Sequence, residues 1–390
     1  MNKKKIIFIL PQLNVGGVQK TFLNVQRVID YDKYDVTLYL RKDRQELGNS
    51  IDKRIKVIAN EDNNKYYRRP RAVFFQILIF LAELLGLKTK KEKLDDRLKH
   101  LIIRYSMNFE YKKYFAQSEY DTAVAYVQGY PALLCGKYVN AKEKVLFFHT
   151  SVDELHDVNA FVINDFDKIC AIHKEQADMI KEWYPSVKDR VFIINNYVNY
   201  EDIIKKSREF NVPETEKKVI CTCGRMTKVK GFDLACKTAK ILKDRGIDFL
   251  WRFVGDGTER ENIERLVKDL GITDNIEFTG IKKNPYPYIA SCDIYVQPSY
   301  EEAMPVAIIE AQILNKPVVS TDTLGGRSLI KNGETGVICE TDPKFVSSKI
   351  IRLLTSRELY DKITDNLKSA DHTCDFQNYK NQWEKVLSGD

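Results

Sequence analysis

Short apolar runs alternate with segments of helical period along most of the chain. Such runs indicate strands that are buried on both faces, and helices between them connect the strands into a parallel sheet. The clearest unit is a strand over 5–10, a turn through 14–17 and a helix over about 18–29. Further strands in the first half are predicted at 35–40, 122–126, 145–149, 168–172 and 191–194. The pattern therefore predicts an α/β fold.

A second series of the same kind begins after residue 199 and a polar stretch over 207–218. Its strands are predicted at 219–223, 250–254, 276–279, 294–297 and 317–320. A chain of 390 residues is long enough for two such doubly wound domains, divided as 1–196 and 197–390. The last helix, about 376–390, is a candidate to pack back on the first domain. Ligands of these sheets lie at the carboxyl ends of the strands, so two facing sheets predict a cleft that contains the site.

Residues 73–87 depart from this pattern, since they are mostly apolar and have basic residues on both sides. The segment is shorter than the ~20 residues that a membrane span needs. Two interpretations stay open. One is a buried core helix, and the other is a helix that lies in a membrane surface with its basic flanks near anionic headgroups.

The net charge of +7 is unevenly distributed. Residues 1–196 hold 33 Lys and Arg against 25 Asp and Glu, whereas residues 197–390 hold 29 against 30. A basic first half suits an anionic membrane surface or a phosphate-bearing substrate. No nucleic-acid-binding motif accompanies it, so nucleic acid is not an expected partner.

The cysteines and the N-terminus bear on the compartment. The eight cysteines lack the CxxC spacing of zinc and redox sites, so most are expected to be buried, reduced thiols. The apolar run over 6–11 is too short for the core of a signal peptide and has no small-residue cleavage site. We therefore expect the protein in the cytoplasm, at the inner face of the cell membrane if 73–87 lies in that surface.

The strongest chemical signal is a pair of glutamates, Glu302 and Glu310, with seven residues between them. They lie in PSYEEAMPVAIIEA over 298–311, which is followed by KPVVSTD over 316–322 and then by two adjacent glycines. Here the chain resembles the large retaining glycosyltransferase family (GT4) that is marked by an E-x7-E pattern, and the similarity covers nearly the whole chain. The resemblance implies the GT-B fold, in which two Rossmann-like domains face each other across a cleft.

The resemblance also implies how this segment would bind a nucleotide-sugar. Glu302, in the loop after a strand, would position the sugar, and Glu310, in the following helix, would accept hydrogen bonds from the ribose hydroxyls. Backbone N–H groups at the helix start would face the diphosphate. They belong to Ala303, Met304 and Val306. Pro305 has no N–H, and Ala303 stands where the family usually has glycine.

A second segment, 223–232, resembles the family's G-R-x4-K-G pattern at the end of a strand. Arg225 and Lys230, which follow Gly224, would clamp the donor diphosphate, because fixed cations stabilise the charge that builds on a leaving phosphate. Donor-binding candidates further along are Gly255, in a strand-to-helix turn, and Ile281, in a loop that resembles the one whose main chain meets the nucleobase.

The first half supplies further candidates by resemblance. Gly16 and Gly17, in the first strand-to-helix turn, resemble the family's N-terminal glycine loop, where donor phosphate and acceptor approach a helix start. Gln19 is the candidate for acceptor contact. His149, at the end of a predicted strand, resembles the histidine beside the transferred sugar, with a purely structural histidine as the alternative. Asn199 replaces the family's usual aspartate in a segment that we interpret as a hinge.

No metal or other cofactor is expected. Asp165 and Asp167 match the D-x-D of metal-dependent glycosyltransferases, but they lie in the first domain, away from the predicted donor site, so we interpret the match as chance. Arg225 and Lys230 would supply the positive charge that a cation otherwise brings. The turn at Gly255 lacks the third glycine of the dinucleotide fingerprint, so a nicotinamide cofactor is not indicated.

The resemblance therefore predicts a retaining hexosyltransferase that moves a sugar from a nucleotide-sugar, with UDP as the commonest carrier. The expected acceptor is a cell-envelope or lipid-linked saccharide in surface polysaccharide or glycolipid synthesis. Two other functions stay open, a catalytically inactive scaffold of the same fold and a nucleotide-sugar 2-epimerase. Retention is implied by the resemblance alone.

Overall fold

The computed structural model describes residues 3–13, 17–41, 47–60, 114–149, 160–370 and 376–388. Within these ranges, the chain forms two parallel sheets with helices packed on them. The predicted α/β class with two doubly wound sheets is therefore confirmed. The segment 73–87 and its basic flanks lie outside the described residues, as does Gly16.

The first sheet has seven strands among the described residues, in the order β3-β2-β1-β4-β5-β6-β7. Their bounds are Lys4–Leu10 (β1), Tyr34–Leu40 (β2), Lys56–Ala59 (β3), Tyr120–Ala125 (β4), Ala141–Phe148 (β5), Lys168–Ala171 (β6) and Val191–Ile193 (β7). Its described helices are Gly17–Val28, Tyr130–Tyr138 and Lys174–Trp183, and Tyr200–Lys206 follows at the junction with the second half.

The central strand of this sheet shows why an uninterrupted apolar run predicts a doubly covered sheet. In β1, the side chains of Ile6, Phe8 and Leu10 lie on one face and pack in the same buried cluster as Phe22 of the first helix. Ile7 and Ile9 point the other way and pack with Leu134 of the Tyr130–Tyr138 helix. Each fully buried side chain of this kind contributes about 1.5–3 kcal/mol to folding. Both faces of the strand therefore need apolar residues, and alternation is absent.

The second sheet has six strands among the described residues, in the order β10-β9-β8-β11-β12-β13. Their bounds are Lys218–Cys223 (β8), Phe249–Val254 (β9), Ile276–Gly280 (β10), Ile294–Gln297 (β11), Val318–Thr321 (β12) and Val337–Cys339 (β13). Its described helices are Phe232–Asp244, Arg260–Asp269, Tyr286–Ala290, Val306–Ile313, Leu324–Leu329, Pro343–Thr355 and Arg357–Ser369. The order reverses direction between β8 and β11, which is the switch point where ligands of such sheets lie.

The last helix, Phe376–Leu387, packs against the first sheet rather than the second. Its Trp383 is 1% exposed and stacks on Phe147 of β5, with ring centroids 4.9 Å apart and planes 7° apart. The Lys168 ammonium donates a hydrogen bond of 3.0 Å to the carbonyl oxygen of Lys385 in this helix. The chain thus returns to its first half after completing the second sheet. The division at residue 196 itself stays a prediction.

The described helices include none that is both long enough and apolar enough to cross a membrane. The described cysteines are free thiols, and all but Cys223 are buried.

Candidate functional site

Two loops meet at the carboxyl edge of the second sheet, where the strand order reverses. One follows β8 and includes the short 3-10 helix Lys228–Lys230, and the other follows β11. Gly231 ends the first loop with φ at +66°, and a Cβ there would lie 1.9 Å from the carbonyl oxygen of Pro298 in the second loop. The Tyr300 N–H donates to the Val229 carbonyl at 2.8 Å. This close approach of two backbones fixes the loops against each other.

Glu302 is the centre of a hydrogen-bond network between these loops. Its side chain is 9% exposed, and its Oε1 accepts hydrogen bonds from Lys230 Nζ at 2.5 Å and from Ser299 Oγ at 2.9 Å. Gln297 Nε2 donates to the same oxygen at 2.9 Å. A buried carboxylate needs such partners, because an unpaired charge away from water is very costly. The structure therefore brings the predicted Glu302 and Lys230 into direct contact.

A buried tyrosine in β11 orients Gln297, one of the residues of this network. The Tyr295 hydroxyl lies 3.0 Å from Gln297 Oε1 and 3.2 Å from the carbonyl oxygen of Cys223 at the end of β8. Burial raises the pKa of Tyr295 well above its usual value, so the phenol keeps its proton. Because Gln297 is held in this way, its amide nitrogen points at Glu302. Sequence reasoning did not identify Tyr295, Gln297 or Ser299.

Glu310, in the Val306–Ile313 helix, is 3% exposed. Its Oε1 accepts hydrogen bonds from Lys20 Nζ at 2.9 Å and from the Tyr286 hydroxyl at 3.0 Å. Burial and the neighbouring Glu310 carboxylate both raise the pKa of Tyr286, so this hydroxyl is a donor. Lys20 belongs to the Gly17–Val28 helix, so a residue of the first half reaches a predicted binding residue of the second.

The segment between the two glutamates is held by the Leu324–Leu329 helix, which follows β12. The Gly325 N–H donates to the Glu302 carbonyl at 2.8 Å. A Cβ on Gly325 would lie 2.5 Å from Pro305 Cδ and 2.7 Å from the Ala303 carbonyl oxygen. The glycine therefore allows a close backbone approach, and any larger residue would displace the segment that begins the helix at Val306.

His173, which follows β6, also contacts this segment. Its Nδ1 accepts a hydrogen bond of 3.2 Å from the Gln176 N–H and lies 3.1 Å from Glu175 Oε2. Its Nε2 lies 3.0 Å from the Ala303 carbonyl oxygen. A carbonyl only accepts, so Nε2 carries a proton. Sequence reasoning gave His173 no role. A signal existed, since it directly follows a strand end, at the edge where sites are expected.

The Met304 sulfur and the remaining donor-loop residues lie around the same edge. Asn196 Nδ2 donates to Met304 Sδ at 3.4 Å. Gly255 has φ at +142°, and a Cβ there would lie 1.9 Å from the carbonyl oxygen of Gly224, so the turns after β8 and β9 are in backbone contact. Arg225 is exposed in the first of these turns, and Ile281 is 62% exposed just after β10. These residues share one edge of the sheet with Lys230.

Among the described residues, the predicted site residues Gly17, Gln19 and His149 lie at the carboxyl edge of the first sheet. His149 follows β5, is 9% exposed and packs against Tyr126, with ring centroids 4.6 Å apart. Its Nε2 is buried without a hydrogen-bond partner among the described residues. Burial lowers the pKa of His149 to about 3, so the imidazole is neutral at ordinary pH and cannot serve as a general acid there.

Gly17 begins the first helix, and Gln19 lies within it. The Gln19 side chain is 8% exposed, and its Nε2 donates to the Gln12 carbonyl at 3.4 Å. The chain itself therefore uses one of the donor positions of this amide. Its predicted contact with an acceptor stays a prediction.

Asp165 and Asp167 lie just before β6, at the opposite, amino edge of the first sheet. Asp165 pairs with Lys137 at 2.6 Å, and Asp167 Oδ2 accepts a hydrogen bond of 2.8 Å from the Lys144 N–H. Each carboxylate thus has a structural partner. Among the described residues, no cluster of three or more His, Cys, Asp or Glu side chains could hold a metal ion. The absence of a metal requirement stays a prediction.

Comparison with known proteins gives one family. The family model for glycosyl transferases group 1 matches residues 203–370, which include both loops of the site. An uncharacterized glycosyltransferase of Haemophilus influenzae is 28% identical over 201 residues, or 50% of this chain and 56% of that protein. The lipopolysaccharide core biosynthesis glycosyltransferase LpsE of Rhizobium meliloti is 28% identical over 153 residues, or 39% of this chain and 44% of that protein. The chain thus spans about half the length of the curated relatives that it matches.

Among solved structures, HepE of Anabaena in complex with UDP and glucose resembles the chain with a TM-score of 0.71. The two proteins are 16% identical, and the match covers 99% of each chain. A likeness at this identity shows that the GT-B fold is shared.

Proposed function

Because residues 203–370 match the family model for glycosyl transferases group 1, we propose that the chain transfers a sugar from a UDP-sugar to a saccharide acceptor with retention of configuration. The observation that carries this proposal is the contact of Lys230 with Glu302, 2.5 Å apart, at the switch point of the second sheet. A cation and a carboxylate at this edge suit a ligand with a diphosphate at one position and hydroxyl groups beside it.

The donor lies along the carboxyl edge of the second sheet. Arg225 and Lys230 bind the diphosphate, together with the N–H groups before and at the start of the Val306–Ile313 helix. Glu310 accepts hydrogen bonds from the ribose hydroxyls, and the base lies by the backbone at Ile281. UDP is favoured as the carrier because HepE of Anabaena, with the same fold, holds UDP.

Glu302 positions the sugar rather than acting as a base. Its Oε1 accepts hydrogen bonds from Lys230, Gln297 and Ser299, so its orientation is set by groups of the chain itself. Such preorganisation costs no rearrangement during the reaction. A hydroxyl of the transferred sugar can bind the carboxylate while Lys230 turns one of its protons toward the phosphate.

The transfer itself proceeds on one face of the sugar. The bond between the anomeric carbon and the phosphate oxygen breaks, and the acceptor oxygen forms its bond on the same face. The acceptor proton passes to the departing phosphate oxygen, so UDP leaves and no enzymic nucleophile is needed. Lys230 and Arg225 stabilise the negative charge that builds on that phosphate. The neutral His149 takes part only as a hydrogen-bonding group beside the sugar.

The acceptor belongs to the cell envelope in this proposal. The basic excess of the first half suits an anionic membrane surface, and one relative of the chain, LpsE, is a lipopolysaccharide core biosynthesis glycosyltransferase. The protein would then work on the cytoplasmic face of the membrane, on a saccharide or lipid-linked saccharide.

Sedimentation with vesicles tests the membrane part of the proposal. The protein should co-sediment with vesicles that contain anionic lipid, bind neutral vesicles poorly and dissociate as salt screens the charges. A protein that ignores anionic vesicles at low salt would make a soluble acceptor the better candidate.

A screen of nucleotide-sugars tests the function directly. A ligand that binds only the folded state raises the melting temperature, so a UDP-sugar should raise it more than the GDP- or ADP-sugars do. The same sugar should be hydrolysed slowly to UDP when no acceptor is present. Binding without hydrolysis or transfer would indicate an inactive scaffold, and conversion to the C2 epimer would indicate an epimerase.

A further inference from the structure

A cation from the first half of the chain contacts the carboxylate that is proposed to hold the ribose. Lys20 Nζ lies 2.9 Å from Glu310 Oε1, although the two residues are 290 positions apart. Glu310 is 3% exposed, whereas Lys20 is 29% exposed. The pair therefore joins the first helix of one sheet to a buried group at the edge of the other.

The pair is charged. Burial lowers the pKa of Lys20, but the charge and hydrogen bond of Glu310, together with the nearby Cys223, outweigh burial, and the pKa is raised above its usual value. Lys20 is thus an ammonium at neutral pH. If its charge were removed, the buried carboxylate would keep only the neutral Tyr286 hydroxyl among the hydrogen bonds that the described residues make to Oε1. Removing one partner of a buried pair in this way leaves an uncompensated charge.

The geometry leaves room for a ligand on the same carboxylate. Lys20 Nζ and the Tyr286 hydroxyl both donate to Oε1, at 2.9 and 3.0 Å, so neither occupies Oε2. A carboxylate offers about four acceptor positions on its two oxygens. Ribose hydroxyls can therefore bind Glu310 while Lys20 stays in place, and they meet a carboxylate whose charge and orientation are already fixed.

We propose that Lys20 is a positioning residue for the donor nucleotide and acts through Glu310 from the opposite side of the cleft. This inference rests on the proposed function, because it concerns the ribose position. It makes nucleotide affinity depend on the contact between the two halves of the chain. By linkage, bound nucleotide must strengthen that contact by the same factor.

The test is UDP binding by isothermal titration calorimetry to the full-length protein and a set of matched variants. Lys20→Met keeps much of the side chain without its charge, and Lys20→Arg keeps the charge. Glu310→Gln and the double variant complete a double-mutant cycle. Lys33→Met is the control for loss of a lysine charge, because Lys33 makes an exposed ion pair with Glu384, at 2.6 Å, at the opposite, amino end of β2.

Lys20→Met should weaken UDP binding about tenfold, since it removes a charge-assisted hydrogen bond from a buried group. Lys20→Arg should recover most of the affinity, and Lys33→Met should bind as the wild type does. The double variant should bind UDP as weakly as Glu310→Gln alone, because Lys20 acts through Glu310. In turnover, Lys20→Met should raise the KM for the donor and leave kcat nearly unchanged, which general loosening of the fold would not do.

Three results would overturn the inference while leaving the proposed function intact. Lys20→Met could bind UDP as well as the wild type does. Lys20→Met could bind UDP more tightly than the wild type does, which would mean that the nucleotide must displace Lys20 from Glu310. The two single effects could multiply in the double variant, which would mean that Lys20 contacts the nucleotide independently. If the wild-type protein binds none of UDP, GDP and ADP, the proposed function fails and the inference fails with it.

Discussion

The carboxyl edges of the two sheets differ in how their polar groups are satisfied. At the edge of the second sheet, Glu302 and Glu310 are both buried and each accepts hydrogen bonds from a lysine and from neutral donors. At the edge of the first sheet, buried polar atoms lack hydrogen-bond partners within the described parts of the chain. These are Gln12 Oε1, Arg41 Nε and His149 Nε2.

The difference concerns the two glutamates of the second edge, whose orientations are set by hydrogen bonds from other groups of the chain. A buried polar atom without a partner costs about 1–3 kcal/mol. The second edge carries no such cost at its glutamates, and its groups already point where a donor would lie. We therefore expect substitutions at the second edge to affect turnover and binding. Substitutions at the first edge, with the exception of Lys20, should affect stability more than donor affinity.

The largest expected effect is that of Lys230→Ala on turnover. Losing a fixed cation at the leaving phosphate should lower kcat about 10²- to 10³-fold, because that charge exists mainly in the transition state. Donor affinity should fall much less. Steady-state kinetics with the UDP-sugar identified in the screen would measure both.

Lys228→Ala is the matched control for that variant, since Lys228 is exposed in the same short 3-10 helix as Lys230. Its kcat should stay within about twofold of the wild type. Equal losses in the two variants would mean that the loop's net charge matters and that the contact of Lys230 with Glu302 does not.

The effect of pH on stability tests the carboxyl edge of the first sheet, where His149 is buried. The pKa of His149 is about 3 in the folded protein because of burial, against an ordinary value of about 6.5 in the unfolded chain. Between these pH values the unfolded state binds a proton that the folded state does not. His149 therefore does not lower the free energy of unfolding above about pH 6.5. As the pH falls from 6.5 toward 3, the free energy of unfolding decreases by up to ~1.4 kcal/mol per pH unit.

His149→Phe removes this titration and keeps an aromatic ring against Tyr126. Urea unfolding at several pH values should give a shallower loss of stability for the variant than for the wild type. Identical slopes would show that His149 is protonated in the folded protein, and hence that it is less buried than the structure has it.

The smallest expected effect is that of metal removal. Lys230 and Arg225 supply positive charge at the donor edge, so EDTA should leave the transfer rate within experimental error. A complete loss that Mn²⁺ or Mg²⁺ restores would require a metal at the diphosphate and would reopen the interpretation of Asp165 and Asp167.

The strands that were predicted and those that were missed differ in burial. Strand β11, buried throughout, was predicted with its observed bounds. Strand β3 was missed because its residues are exposed or half-buried, and β13 because it has only three residues. Strand β5 begins four residues before the predicted start, because its first four residues are mostly polar and half-buried or exposed, and give no apolar signal.

The candidate site divides in the same way. The residues of the E-x7-E segment lie close together along the chain, so their spacing reveals them. The contacts of Lys20 with Glu310 and of His173 with Ala303 join residues 290 and 130 positions apart. No local pattern records such pairs, since they depend on how the two sheets are placed. Gly325 was found in the sequence as one of the two glycines after the motif, but its close approach to Ala303 could not be predicted from the sequence.

The most direct test of the central claim is a crystal structure of the wild-type protein with UDP bound. The account predicts the diphosphate beside Lys230 and Arg225, the ribose hydroxyls on Glu310 and the base by the main chain at Ile281, with Lys20 still on Glu310 Oε1. UDP bound at the edge of the first sheet, or at the second sheet without contact to Glu310 and Lys230, would contradict it.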